Sequence, residues 1–319
     1  MTAPAEVVPN PLRRAGRPPG VTGVLNLAKP AGITSFAAIR DARRALGERH
    51  IGHAGTLDPA ATGVLPLCVG RATRLVEYIL REPKTYRARL RLGETSDTGD
   101  LEGEVRPGSS AAALDRAQVE AALQQFVGRI EQVPPMHSAV RHQGRHLYEL
   151  ARQGLTVERK PRVAEIHSIR VLGFTPGEVA EAEVEVVCGK GTYLRVLATD
   201  LGDRLQVGGV LSWLERTAYG PFRLDQAVTV AQLLESDDPR SLLLPPEAAV
   251  QGMPRVDLLP GAAAQVQRGQ GAWLQRGPQG AEATSGEVRA HGPDGRLLAV
   301  GNLAGLRFQP LKVIAPIGG

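Results

Sequence analysis

HIGHAGTLDPAATGVLPLCVGRATR, residues 50–74, is the stretch on which the reading of this chain turns. One carboxylate, Asp58, stands at its centre and is followed by Pro59. A residue before proline is pushed out of the helical region into an extended or turn conformation. Gly52, Gly55 and Gly63 frame it, and glycine admits backbone angles and close approaches that a side chain forbids. A tight loop holding one acid at a fixed place follows from this composition, with His53 on the same loop. Residues 64–69 then form an apolar run containing one proline, and residues 72–80 have helical character. An isolated Asp-Pro is ordinarily a turn former. A carboxylate on a rigid loop just before a buried element suggests catalysis instead.

Upstream of this stretch, residues 21–27 read as a strand and Lys29-Pro30-Ala31-Gly32 as a turn. Thr34 or Ser35 can cap a helix running to Leu46, which Gly47 would end. Residues 1–20 are rich in Pro and Arg and read as a flexible basic tail.

Downstream, KTYRARLRL at 84–92 alternates apolar and polar residues, so Tyr86, Ala88, Leu90 and Leu92 share one face of a strand. Residues 93–103 form a polar, acid-rich loop to which the sequence assigns no role. An amphipathic helix is expected over 114–127, an antiparallel strand pair over 163–174 and 181–188, a helix over 192–205 and a strand over 210–219. Residues 134–162 differ in texture, with Lys and Arg well in excess of acids and three histidines, His137, His142 and His146. The histidine spacing does not suggest a metal site. Residues 228–250 read as a short helix and a proline-marked linker. Beyond 250, short apolar runs separated by Gly and Pro favour a small β-rich module.

The chain has 319 residues, 42% of them hydrophobic and 4% aromatic, with a formal net charge of +5. That length allows one large domain and a small one. Of the basic residues only Lys29, Lys84, Lys160, Lys190 and Lys312 are lysines. Arginine offers a planar fork suited to phosphate. The excess positive charge lies in residues 1–20 and 251–319, which fits gripping an anion at several points. Cys68 and Cys188 are the only cysteines and sit in apolar runs. They read as reduced core residues of a cytoplasmic protein, with no Cys-x-x-Cys framework for zinc. Residues 1–20 lack a secretory apolar core, and no apolar run is long enough to span a membrane.

The long motif GHAGTLDPAATGVLP, together with GVLNLAKP, KTYRA, HLYELARQG, GTYLR and WLERTAYGPF in this order across residues 21–222, resembles the TruB family of pseudouridine synthases. The resemblance implies an α+β fold, with a mixed, largely antiparallel central sheet flanked by helices. It implies a catalytic domain over 21–250 with a thumb insertion at about 134–162, and a PUA-like RNA-binding domain over 251–319. It implies isomerisation of uridine 55 in the T loop of tRNA, with tRNA as partner, a monomer, and neither cofactor nor metal. The matching positions make Asp58 the nucleophile, Arg195 its cationic neighbour, and Tyr86 the ring that stacks on the base and a candidate for proton abstraction. Tyr193 lines the same pocket, Leu214 forms an apolar wall, and His53 helps to displace the base. Arg74 stands where the family pattern has Lys and would meet phosphate.

Two other readings compete. A tRNA-binding folding factor with incidental catalysis would need no intact nucleophile. A glycosidase-like hydrolase normally needs two carboxylates flanking the bond, and the loop supplies one.

Overall fold

The alternation in KTYRARLRL builds the central strand of the molecule, Lys84–Leu92. Tyr86, Ala88, Leu90 and Leu92 are buried, while Arg87 and Arg89 point to solvent. The neighbouring strand Ala180–Cys188 answers with the opposite charges. Arg89 faces Glu183 and Arg87 faces Glu185 across the antiparallel pair, and both arginines form ion pairs with Glu183. Such cross-strand pairs help to fix register. The computed structural model describes residues 20–138, 140–275 and 285–315. The expected basic tail lies, but for Gly20, outside the described residues.

Eight strands follow one another across the main sheet. In spatial order they are Val228–Thr229, Gly23–Lys29, Thr62–Val69, Gly209–Tyr219, Lys84–Leu92, Ala180–Cys188, Arg162–Thr175 and Gly128–Gln132. Two short strands, Ile51–His53 and Phe222–Arg223, pair on its flanks. Gly23–Lys29 with Val228–Thr229 and Thr62–Val69 with Gly209–Tyr219 are parallel, and the other pairings are antiparallel. The expected mixed, largely antiparallel sheet is present.

Helices cover it where the sequence placed them. Ser35–Leu46 starts at Thr34, whose side chain accepts a hydrogen bond from the Ala37 amide, and packs on Leu25, Leu27, Leu65 and Leu67. Arg116–Gln124 starts with a capping box between Asp115 and Gln118. It covers the Tyr86 face of the sheet together with Leu194–Arg204. The basic segment becomes a small hairpin, Arg141–His142 with Arg145–His146, followed by the short helix Leu147–Ala151. The acid-rich loop closes as a second hairpin, Glu94–Ser96 with Val105–Pro107.

After residue 250 a second, five-stranded sheet forms, with the helix Pro260–Gln267 packed against it. The β-rich module is as expected, but the proline-marked linker before it is not an open linker. Prolines start two 3₁₀ turns, Pro239–Leu242 and Pro246–Val250, and the second carries Ala249 and Val250 into the interior. Leu244 exchanges two backbone hydrogen bonds with Val24, each 2.8 Å. The two sheets also share a core. Leu297, Val300 and Ile314 of the second sit in one cluster with Val24, Val64, Cys68, Tyr78 and Tyr219 of the first. Among the described residues no helix is long and apolar enough to cross a membrane.

Candidate active site

Asp58 lies in the loop between strands Ile51–His53 and Thr62–Val69. The loop is held from several sides. The Ala61 amide donates to the Asp58 carbonyl at 3.1 Å. The Gly32 amide donates to the Pro59 carbonyl at 2.9 Å. The Ser35 hydroxyl donates to the Leu57 carbonyl at 3.0 Å and accepts from the Leu57 amide at 2.9 Å. The Lys29 ammonium, 1% exposed, donates to the carbonyls of Pro30, Ile33 and Pro59 at 2.8, 2.8 and 3.2 Å. Burial pulls the Lys29 pKa down to about 8, against the attraction of Asp58. Gly63, at φ +105°, permits the close return of the loop, because a Cβ there would collide with the backbone of Arg216.

The Asp58 carboxylate keeps 42% of its side-chain surface open, so a substrate can reach it. A terminal nitrogen of Arg195 lies 3.1 Å from it. Arg195 is 5% exposed and is held in turn. Its Nε is 3.5 Å from Asp100, and its terminal nitrogens donate to the His137 carbonyl at 2.7 Å and the Thr98 carbonyl at 3.4 Å. One guanidinium thus joins the loop, the 93–103 hairpin and the basic segment. Burial lifts the Asp58 pKa above its ordinary value, with Arg195 acting most strongly in the other direction. The arginine moderates a desolvated carboxylate without bringing it below the ordinary range.

Other expected residues gather around this pair. Tyr86 and Leu57 are in one buried cluster, and half-buried Leu214 packs against it. The Tyr86 ring is 7% exposed, and burial raises its pKa. Tyr193 directly precedes the helix that carries Arg195, with its backbone bracketed by the Gln132 side chain at 2.9 and 3.2 Å. Asp58 acts electrostatically on both tyrosines. His53 Nε2 lies 3.1 Å from the Thr56 hydroxyl. Burial and then Arg216 lower its pKa, so its ring is neutral at pH 7. Arg74 stands apart from this chemistry. Its guanidinium donates to the Val313 carbonyl at 2.8 Å, a contact to the second sheet.

Three residues of this arrangement carried no role in the sequence reading. Asp100 came from the acid-rich loop and supplies a second carboxylate to Arg195. Lys29 and Arg216 were unweighed members of quoted motifs. The signal was an ionisable residue within an otherwise apolar strand pattern, as in GVLNLAK and WLERTAY. Among the described residues no group of three or more His, Cys, Asp or Glu could hold a metal ion.

The model for the TruB family pseudouridylate synthase N-terminal domain matches residues 43–194, and that for the tRNA pseudouridylate synthase B C-terminal domain matches residues 195–251. The tRNA pseudouridine synthase B of Symbiobacterium thermophilum is 53% identical over 249 residues, covering 78% of this chain and 82% of that protein. The tRNA pseudouridine synthase B of Gloeobacter violaceus is 44% identical over 296 residues, 92% of this chain and 98% of that one. Among solved structures, an H/ACA RNP bound to a substrate RNA containing 2′-deoxyuridine matches with a TM-score of 0.71 at 25% identity, over 93% of this chain and 86% of that chain. An archaeal box H/ACA sRNP Nop10-Cbf5 complex matches with a TM-score of 0.69 at 26% identity, over 93% and 87%. The fold is therefore the pseudouridine synthase fold with a PUA-like second sheet. The chain belongs to the TruB family, and its activity is the family's isomerisation of uridine in tRNA.

Proposed function

We propose that the chain converts uridine 55 in the T loop of tRNA to pseudouridine, with Asp58 as nucleophile. The observation that carries this reading is the open Asp58 carboxylate held 3.1 Å from a buried guanidinium that is itself fixed by a second carboxylate and two carbonyls. A nucleophile must be ionised, accessible and rigidly placed; Asp58 meets the last two conditions by geometry, and the Arg195 guanidinium beside it favours the ionised form against burial. In the reaction the C1′–N1 bond breaks, the base turns and a C1′–C5 bond forms. The proton on C5 leaves and N1 gains one, so nothing enters or leaves the nucleoside. A uridine inside a folded loop must first be extruded from its stack.

The flipped base would lie against Tyr86, with Leu214 and Tyr193 as walls. His53, neutral and small beside Gly52, is suited to fill the space that the base vacates. The basic segment 134–162 reaches the site through the His137 carbonyl on Arg195, a contact that supports its reading as a thumb closing on RNA. The reducing compartment implied by two free cysteines fits a cytoplasmic enzyme. Both thiols are fully buried, and burial pushes them up to about 12 for Cys68 and about 11 for Cys188, so neither is poised to react.

The test is an unmodified T-loop hairpin incubated with the protein and mapped by chemical probing. Pseudouridine is expected at the position of uridine 55 alone, and modification elsewhere in the loop would refute the site assignment. Tyr86 divides its two jobs in the same assay. Stacking needs only the ring and contributes on the order of 1–3 kcal/mol by alanine substitution. Proton transfer needs the hydroxyl within hydrogen-bond reach. Tyr86→Phe is expected to bind RNA normally and lose most turnover, whereas Tyr86→Leu loses both. Wild-type turnover by Tyr86→Phe would remove the hydroxyl from the mechanism.

A further inference from the structure

Beneath the site lies a cation that the reaction scheme has not used. Arg216 is completely buried, on strand Gly209–Tyr219. It stands opposite Tyr86 on one neighbouring strand and opposite Gly63 on the other. Its Nε donates to the Val64 carbonyl at 2.6 Å. One terminal nitrogen donates to the Gly55 carbonyl at 3.0 Å, and the other to the Tyr86 hydroxyl at 3.4 Å. The ring of Tyr219 stacks on the guanidinium, with its centroid 4.9 Å from the central carbon.

No carboxylate forms an ion pair with Arg216 among the described residues. A buried charge without a counter-ion is expensive. Carbonyl oxygens and an aromatic face compensate only part of the lost hydration. A fold that retains such a charge directly below a reactive pocket places a strong, fixed positive field on whatever oxygen it touches. Here, among the described residues, the Tyr86 hydroxyl is the one side-chain oxygen it touches, beside the Val64 and Gly55 carbonyls.

Direction follows from donor chemistry. A guanidinium has five N–H donors and no acceptor. In this contact the Tyr86 oxygen must therefore accept, and its own proton is left for another partner. That proton is available to the pocket, where Leu57, next to Asp58, and Leu214 pack in one cluster with Tyr86. Arg216 also works against the effect of burial on this phenol, through both its charge and its hydrogen bond. The same fork holds the Gly55 carbonyl, so the loop carrying His53 and Asp58 is tied to Tyr86 through one side chain.

We propose that Arg216 is a positioning residue for Tyr86. It holds the phenol oxygen from below so that the O–H faces the flipped base, and it stabilises that oxygen whenever it carries negative charge. The proposal rests on the assignment of Tyr86 made above, and it assigns no contact between Arg216 and RNA.

A double-mutant cycle tests it on the full chain with the T-loop hairpin, in single-turnover conditions. Arg216→Gln and Arg216→Lys are each made in the wild-type and the Tyr86→Phe backgrounds. Circular dichroism and thermal melting report the fold. In the wild-type background Arg216→Gln is expected to lower the single-turnover rate on the order of 10²-fold, the lower end of general acid–base contributions. RNA affinity should change by less than about 3-fold, and Arg216→Lys should recover part of the rate. In the Tyr86→Phe background the same Arg216→Gln change should cost less than about 3-fold, because coupled residues are non-additive. Any alkaline pH limb that Tyr86→Phe abolishes should move to higher pH in Arg216→Gln, since the phenolate loses its cation.

Equal losses in the two backgrounds would make Arg216 a general structural residue and overturn the proposal. A loss confined to affinity would overturn it too, as would unfolding of both Arg216 variants. If Tyr86→Phe turns over at the wild-type rate, the proposal falls with the Tyr86 assignment. Pseudouridine formation at the target uridine by wild-type protein would then still stand.

Discussion

Replacing Asp58 by Asn is expected to end turnover, with a loss on the order of 10⁴-fold or more, the scale on which removal of a reacting group acts. The amide keeps the shape of the carboxylate and removes its charge. RNA binding should survive, because the loop is positioned by Lys29, Ser35 and Gly32 through backbone atoms and not through the Asp58 carboxylate. Stability should survive as well. The folded-state pKa of Asp58 is raised, so the folded protein holds that proton more tightly than the unfolded chain does. Ionised Asp58 therefore opposes folding once pH climbs above the ordinary carboxylate value, and Asn removes the opposition. Arg195 keeps Asp100 and two carbonyls as partners. Single-turnover rates, hairpin affinity and melting temperature, measured side by side, check all three. Turnover near the wild-type rate would sink the assignment of the nucleophile.

Arg195 carries the second large effect. Arg195→Lys keeps a charge but cannot satisfy Asp58, Asp100, Thr98 and His137 together, since it lacks the planar fork. A loss of about 10²–10³-fold in turnover is expected, comparable to removing one preorganised electrostatic donor, with a smaller loss of binding. The pH profile separates this from a phosphate contact. With Asp58 as the proposed nucleophile, turnover is expected to fall as pH drops through the Asp58 pKa, which burial has already raised. In Arg195→Gln the opposing cation is gone, the pKa rises further, and the acid limb moves to higher pH. An unchanged acid limb with weakened RNA affinity would reassign Arg195 to the substrate backbone.

Much of this molecule is legible in its sequence because local patterns decide local outcomes. The period-2 alternation of KTYRARLRL fixed which face of the strand is buried. Of the two candidate caps, Thr34 and Ser35, Thr34 is the one that caps the helix. The Asp58 loop was recognisable because the glycines and proline that shape it lie within a few residues, although Lys29, Gly32, Ser35 and Arg216 hold it from far along the chain. What escaped depends on distance along the chain. Asp100 gains its meaning from Arg195, on another element and brought near only by the folded sheet. Arg216 acquires its role from Gly55, Val64 and Tyr86, on two other strands and a loop. The prolines at 239, 245 and 246 read as breaks, yet proline is equally at home at the start of a helical turn. Nothing local announces that such turns will carry Ala249 and Val250 inward. Arg74 was assigned to phosphate by its motif, and no local pattern announces that its guanidinium also meets the Val313 carbonyl, 239 residues away.

The shared core of the two sheets changes what the boundary near residue 250 means. Texture and composition switch there, but cooperativity does not. Val64 and Cys68 belong to the strand that leaves the Asp58 loop, and they pack in one cluster with Leu297, Val300 and Ile314. Arg74 to Val313, Lys312 to Glu77 and Arg81 to Glu287 fasten the rim of that contact. Loosening the second sheet would uncover apolar surface on the strand that follows the Asp58 loop. Substitution at Leu297, Val300 or Ile314 is thus expected to reach the Asp58 loop through the strand that leaves it, without touching RNA.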